Sequence, residues 1–392
     1  MERIKLFKIA PFYNRFLHDF YGKHAELKTA SYAEQHRALM NVCFAWSDYW
    51  KTYLEASGHY QVTEIIYNAS YLQKAWAREN GFQFNDERWQ VEIVLEQLRR
   101  SNAQVFFSNE GWFQQFPSTQ LKALFPRLFI VGYDGTATKS EKLFGGCDLM
   151  AANTTGALDA YEKMGKKTCL YKLGFETSIL DKIHYNENAE RPYDVTLVGG
   201  VSIAKNVHVR RVKLLRYLSR HLKLNLFLME PTLKDLISYW LNLVRNRNGI
   251  GDYFELARNT LYLSKLHRLN AGPIFGVEMF AALAKSKIAL NVHIDSTGDN
   301  AGNMRLFEAT GVGCCLVTDW KPNISDFFDI DNEVVIYRSF EECLEKIQYL
   351  LDHDAERKRI AANGFKRTHG EHILKPQVEK FSNVLIRLLD SI

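Results

Sequence analysis

The sequence predicts an α/β protein made of two Rossmann-like domains that face each other across a cleft. Three observations predict it. At 392 residues the chain exceeds one ordinary hydrophobic core. Short β-branched and aromatic runs alternate with amphipathic stretches, which is the pattern of βαβ units and parallel sheets. That alternation restarts after a polar, proline-containing stretch at 181–192, DKIHYNENAERP.

In the first half, IKLFKI (4–9) reads as the opening strand and ends in the loop 10–13. Apolar spacing predicts one long helix over 32–57, stopped by Gly58, and a strand over 61–67. Helices over 71–80 and 86–100 and strands over 104–108, 128–133, 148–152 and 168–171 complete a doubly wound domain. The second half opens with the strand DVTLV (194–198), which runs into Gly199 and Gly200. A helix over 207–222 follows, then strands over 225–229, 288–292, 314–318 and 334–337, with a short helix over 303–310. Apolar residues at helical spacing mark later helices, including one through Val378, Phe381, Leu385 and Leu388. The expected domains are 1–185 and 186–375, with a terminal helix over 376–392 packing back on the first.

Composition narrows the classes. Hydrophobic residues make up 46% and charged residues 24%, which fits a globular protein rather than a disordered one. A net charge of +5 suits an anionic small ligand or an anionic surface. It does not by itself suggest nucleic acid, which needs basic residues gathered on one face. The six cysteines include no CxxC pair and read as buried, reduced thiols. No secretory signal opens the chain and no run approaches the ~20 apolar residues of a membrane span, so a cytoplasmic location is expected. GxSxG, the Walker motif, HExxH and a GxGxxG after the first strand are all missing. Asp329-Ile330-Asp331 has a metal-ligand spacing but sits in what reads as a surface turn, so no metal site is assigned.

The segment ALNVHIDSTGDNAGNMRLFEATGVGCCLVTD (289–319) is the most informative. A buried strand ends in a glycine-containing loop that leads into a short helix, expected to begin near Gly302. Unpaired amides at a helix start favour a diphosphate, drawing on Asn300, Gly302, Asn303 and Met304. Gly298 and Gly302 permit close backbone approach. Arg305 offers a planar fork for phosphate, and Glu308 a carboxylate for ribose hydroxyls. Gly199 and Gly200, which end the strand DVTLV, read either as a second ligand loop or as a plain βα turn, with His208, Arg210 and Arg211 opening the next helix as ligand cations or as a solvated basic face. Of these, Arg210 is taken as the representative cation. His293 ends its strand just before the ligand loop. Between 230 and 276, aromatic-apolar and basic residues mix around Gly249–Gly251. They read either as capping helices or, over 231–268, as a peripheral contact with anionic lipid or a lipid-linked acceptor.

The stretches AGNMRLFEATGVG, CLVTDWKPN, DFFDIDNEVVIYRS and ERKRIAANGFKRTHGEH resemble the glycosyltransferase-like domain of spore-maturation-type and group 1 glycosyltransferases. The resemblance reaches back through GVEMFAALAKSKIALNVH and YDVTLVGGVS to SYAEQHRAL and FAWSDYWKTYLEASGH, and is strongest over 276–372. It implies a GT-B fold, a sugar nucleotide held by the second domain, an acceptor held by the first, and no metal or other cofactor. It also implies transfer of a sugar to a glycan, lipid-linked or protein acceptor, in bacterial surface glycan or glycoconjugate synthesis. Asn300 stands eight positions before Glu308, where retaining relatives often carry a second glutamate, so retention is not assigned. On the first domain, Glu110 and Asp134 each follow an apolar strand and are candidates for the base that deprotonates an acceptor. Arg305 is the expected catalytic cation. Tyr13, Asn14 and His18 are candidates for the acceptor side, and Asn153, Thr154 and Thr155 either cap a helix or touch the acceptor. Two alternatives stay open: a GT-B sugar-nucleotide epimerase or phosphorylase, and an inactive scaffold that keeps the fold.

Overall fold

The computed structural model describes residues 2–45, 47–135, 140–153, 155–204, 207–246, 249–295 and 300–391. Among the described residues, eleven parallel strands form two sheets. The first holds β1 (Ile4–Ala10), β2 (Tyr60–Ile66), β3 (Val105–Asn109), β4 (Phe129–Asp134), β5 (Leu149–Ala152) and β6 (Lys167–Leu170), in the order β2-β1-β3-β4-β5-β6. The second holds β7 (Tyr193–Gly200), β8 (Leu224–Met229), β9 (Ser286–Asn291), β10 (Cys315–Asp319) and β11 (Val335–Tyr337), in the order β11-β10-β9-β7-β8. Both are doubly wound, with helices between consecutive strands.

The strands form where apolar runs can be covered on both faces. Every residue of β4 is buried, as expected for a central parallel strand. Gly132 sits there because a Cβ would meet Met150 Sδ at 2.8 Å and the Phe144 ring at 3.0 Å. In each sheet the chain leaves the starting strand in both directions, so the order reverses between β1 and β3 and between β7 and β9. Crevices at the carboxyl ends of such strands are where open α/β sheets bind ligands.

The chain divides into two compact units, 1–172 with 374–392, and 173–373. These bounds differ from the 185/186 and 375/376 read in the sequence. The 173–192 stretch belongs to the second unit because Phe175 N donates to His372 O at 2.7 Å and its ring fills the space where Gly311 lacks a Cβ. The helix Leu374–Leu389 belongs to the first unit. Its Phe381 ring lies 4.9 Å from that of buried Trp50, and Ser382 Oγ bonds Tyr60 Oη at 3.0 Å.

The helix expected over 32–57 is two, Tyr32–Asn41 and Tyr49–Ala56. Cys43, Ala45 and Ser47 between them take positive φ of 58°, 52° and 43°. Packing overrides helix propensity here. Phe44 stacks on Phe16 at 4.7 Å and meets Phe12 at 5.2 Å, while Ser47 Oγ takes up the Met40 carbonyl. All six cysteines are unpaired and buried, and burial pushes the Cys147 and Cys314 thiols up to about 12.

Candidate functional site

Arg211 occupies the switch point of the second sheet. It lies in the helix Val209–Leu218, which follows β7, and it is 8% exposed. One terminal nitrogen donates to Gly200 O at the end of β7 and the other to Val292 O just past β9. Its partners are carbonyls rather than a carboxylate. Burial lowers its pKa to about 10, because the cation is removed from water. The glycines before it are needed for this approach: a Cβ on Gly199 would meet Arg211 at 3.3 Å, and one on Gly200 would meet the His208 ring at 3.3 Å. His208 is held neutral, its pKa lowered to about 3 by burial first and by the Arg211 charge second.

Arg305 reaches the same strand end. Its Nη2 donates to Val198 O at 3.2 Å, while Nη1 lies 3.0 Å from Glu308 Oε2 and 3.1 Å from Met279 Sδ. Glu308 is buried in the helix Arg305–Gly311, and burial raises its pKa against the pull of Arg305. The expected acid and the expected cation are therefore paired with each other. His293 is also buried. Its main-chain N and its Nδ1 both bond Asp319 Oδ1, at 2.9 and 2.7 Å. An ionised carboxylate only accepts, so Nδ1 donates to it, which leaves Nε2 for another partner. That Nε2, Arg211 Nε and His208 Nδ1 are all buried with no hydrogen-bond partner among the described residues. All three lie on residues near the carboxyl ends of β7 and β9.

Burial pushes Asp319 up, but the His293 bonds and charge outweigh it and hold the carboxyl below its usual 3.8. A depressed carboxylate contributes stability above the unfolded pKa and loses it as pH falls through the folded one. Asp319→Asn is therefore expected to cost about 2 kcal/mol at neutral pH. The gap from wild type should close as pH falls below 3.8, which urea unfolding at a series of pH values measures.

The loop before the short helix differs from the expectation. The helix starts at Arg305, with Met304 as N-cap, not near Gly302. Gly302 takes φ +144°, a region that favours glycine. The Ala301 amide, within the loop expected to seat an anion, donates to Asn323 Oδ1 at 2.7 Å. Asn303 turns to the sheet, donating to Asn291 Oδ1 at 2.8 Å, and Asn300 is exposed. Gly298 lies outside the described residues. Arg210, preferred in the sequence, is exposed; its Nη2 bonds Arg338 O at 3.3 Å and it lines a separate cavity of about 600 Å³. The neighbouring Arg211 takes the strand-end position.

In the first unit, the switch point between β1 and β3 opens into a cavity of about 190 Å³. Tyr13 and Glu110 both line it, beside Asn109, Tyr133 and Glu64. Glu64 was not picked out by sequence; it pairs with Lys8 across β1 and β2, and burial raises its pKa despite that cation. Asn14 accepts from Asn68 Nδ2 at 3.0 Å. His18 is placed elsewhere, its side chain 83% exposed against Asp19. Asp134 is fully buried and accepts from Tyr161 Oη at 2.7 Å, so it is not among the residues lining the cavity. Asn153 and Thr155 flank Thr154, which lies outside the described residues. Among the described residues no group of three His, Cys, Asp or Glu side chains is placed to hold a metal. Asp329 and Asp331 form a turn, Asp331 at φ +61°.

The structure resembles sucrose-phosphate synthase from Thermosynechococcus elongatus, with TM-score 0.57, 12% identity and 100% of both chains covered. The HepE protein of Anabaena, solved with UDP and glucose, gives TM-score 0.54 at 10% identity over 98% of this chain and all of that one. The trehalose-phosphate synthase of Burkholderia xenovorans gives 0.53 at 13% identity over 83% and 88%. The fold is GT-B. Residues 241–383 also match the family model described as glycosyl transferase-like, which encloses the 276–372 region where the sequence resemblance is strongest. No curated protein matches the sequence. In GT-B terms the second unit carries the Arg211, Arg305, Glu308 and His293 cluster, and the first carries the Tyr13 and Glu110 cavity.

Proposed function

We propose that the protein is a metal-independent glycosyltransferase whose second unit binds a nucleotide-diphospho-sugar at the β7–β9 switch point. The observation that carries this is the buried Arg211 guanidinium, whose hydrogen bonds go to main-chain carbonyls while Asp319 and Asp295 act on it only through charge. Burial still depresses its pKa, and a bound diphosphate adds anionic charge at hydrogen-bond distance. Gly199 and Gly200 leave room for the phosphates. Glu308 accepts hydrogen bonds from ribose hydroxyls, and His293, oriented by Asp319, meets a hydroxyl of the sugar through Nε2. Transfer forms a bond from an acceptor oxygen to the anomeric carbon as the carbon–oxygen bond to the diphosphate breaks. Arg211 and Arg305 take up the charge that develops on the leaving group. The acceptor is assigned to the first unit's cavity, where Glu110 receives the hydroxyl proton and Tyr13 lines the wall. A hexose or related sugar, a bacterial glycan or glycoconjugate acceptor, and a cytoplasmic setting complete the reading.

Thermal melting against a panel of nucleoside diphosphates, followed by assays with sugar nucleotides and acceptor glycans, tests it. At least one diphosphate should raise the melting temperature, since a ligand at a hundred times its Kd adds about 2.7 kcal/mol. Free nucleoside diphosphate should then appear only when donor and acceptor are both present. A panel that shifts nothing would leave an inactive scaffold, and turnover without any acceptor would favour the epimerase or hydrolysis.

A further inference from the structure

Among the described residues three helices lie between β8 and β9, and the first two, Leu233–Arg245 and Ile250–His267, form an insertion ahead of Gly276–Ala284. Among the described residues, nine of the sixteen exposed large apolar side chains lie between Leu233 and Leu269. The first helix is closed by a capping box, Thr232 with Asp235, yet buries none of its residues completely. It has two apolar faces. Leu236, Tyr239 and Leu243 lean on the core of the second unit. Leu233, Ile237, Trp240, Leu241 and Val244 are between 37% and 73% exposed, and at helical spacing they share one stripe about 100° wide. The second helix repeats the arrangement. It buries Leu256, Leu263 and Leu266, while Ile250, Phe254 and Leu261 stand 53–77% exposed on one line. Trp240 and Tyr253, 6.4 Å apart, join the two helices.

Charge decides what covers these stripes. Lys234, Arg245, Arg258 and Lys265 are exposed around them. The acids beside them are engaged within the protein: Asp235 in the capping box and Glu255 with Lys213 at 2.6 Å. A second copy would set one basic rim against another, whereas an anionic bilayer offers apolar depth and the opposite charge together. No helix among the described residues is long and apolar enough to cross a membrane. We infer that the two inserted helices dock the protein on the surface of an anionic phospholipid bilayer, stripes in the acyl boundary and basic rim at the headgroups. This goes beyond the transferase reading and does not depend on it.

Sedimentation with vesicles tests the inference without donor or acceptor, so its failure is separate from failure of the transferase assignment. The protein should pellet with vesicles of equal parts phosphatidylcholine and phosphatidylglycerol, remain in solution with phosphatidylcholine alone, and be released by salt. The Ile237→Ser/Val244→Ser/Phe254→Ser variant should reduce the bound fraction roughly tenfold. Arg258→Glu/Lys265→Glu should act in the same direction. All five positions are exposed, so melting curves should stay near wild type. Failure of the folded wild type to pellet, pelleting unaffected by the serine variant, or a dimer in gel filtration that the serine variant dissolves would each overturn it.

Discussion

Arg211→Met is expected to lower affinity for uridine diphosphate roughly a hundredfold, the worth of one or two hydrogen bonds to a charged group. The stability of the unliganded protein should change by no more than about 1 kcal/mol. The two effects separate because the guanidinium serves two ends. Burial depresses its pKa, so the fold bears a charge it would be easier without, and methionine removes that cost. Against this stands the loss of donors to Gly200 O and Val292 O. On the proposed reading, a diphosphate loses a buried cation whose hydrogen bonds go to carbonyls rather than to a carboxylate. Arg210→Met is the control: that side chain is exposed, and its removal should leave affinity nearly unchanged. Calorimetry with UDP and UMP reads the result, because loss of a diphosphate contact penalises UDP more. Equal losses for both arginines would remove Arg211 from the site.

Glu308→Ala should act in the opposite proportion. It leaves the partly buried Arg305 without its carboxylate, whose Oε2 lies 3.0 Å away. Breaking such a pair from one side costs about 3 kcal/mol, so a clear drop in urea midpoint is expected. Glu308→Gln keeps an oxygen for Arg305 and should lose less. The functional signature is a change of preference rather than of affinity alone. A carboxylate accepting from ribose makes the protein favour UDP over its 2′- and 3′-deoxy forms by about tenfold. Both Glu308 variants should abolish that preference. A preference that survives Glu308→Gln would place the ribose elsewhere.

Several parts of the site were legible as chemistry in sequence. Gly199 and Gly200 end an apolar strand, and a glycine pair at a strand terminus signals close approach whatever the fold. His293 and Glu308 also declared themselves by position, one at a strand end and one in the following helix. The choice between Arg210 and Arg211 was not legible. Adjacent positions on a helix point about 100° apart, and only the packing of that helix on β7 and β9 decides which one is buried. The Glu308–Arg305 pair shows the same limit. Spacing of three puts both on one helix face, but whether they hold each other or a ligand depends on what Val198 and Met279 offer nearby. Asp319 was not singled out in the sequence, and only the pairing of β9 with β10 brings it beside His293.

Helix breaks were the weakest point for a related reason. Apolar periodicity runs across 42–48 without a glycine or proline, yet the chain takes three left-handed residues there to seat Phe44 among Phe12 and Phe16. Local propensity cannot report a distant ring.

By itself the sequence determined the α/β class, the alternation that builds two parallel sheets, and the positions of the glycines and charged residues on which the proposed anion site rests. These follow from side-chain period and backbone freedom, which are local properties. Only the tertiary structure decided which arginine is buried at the strand ends with carbonyl partners, which carboxylates are already paired, and that the two inserted helices keep an apolar stripe uncovered. Those outcomes depend on burial and partner distance, quantities that arise when segments far apart in the chain are packed against one another.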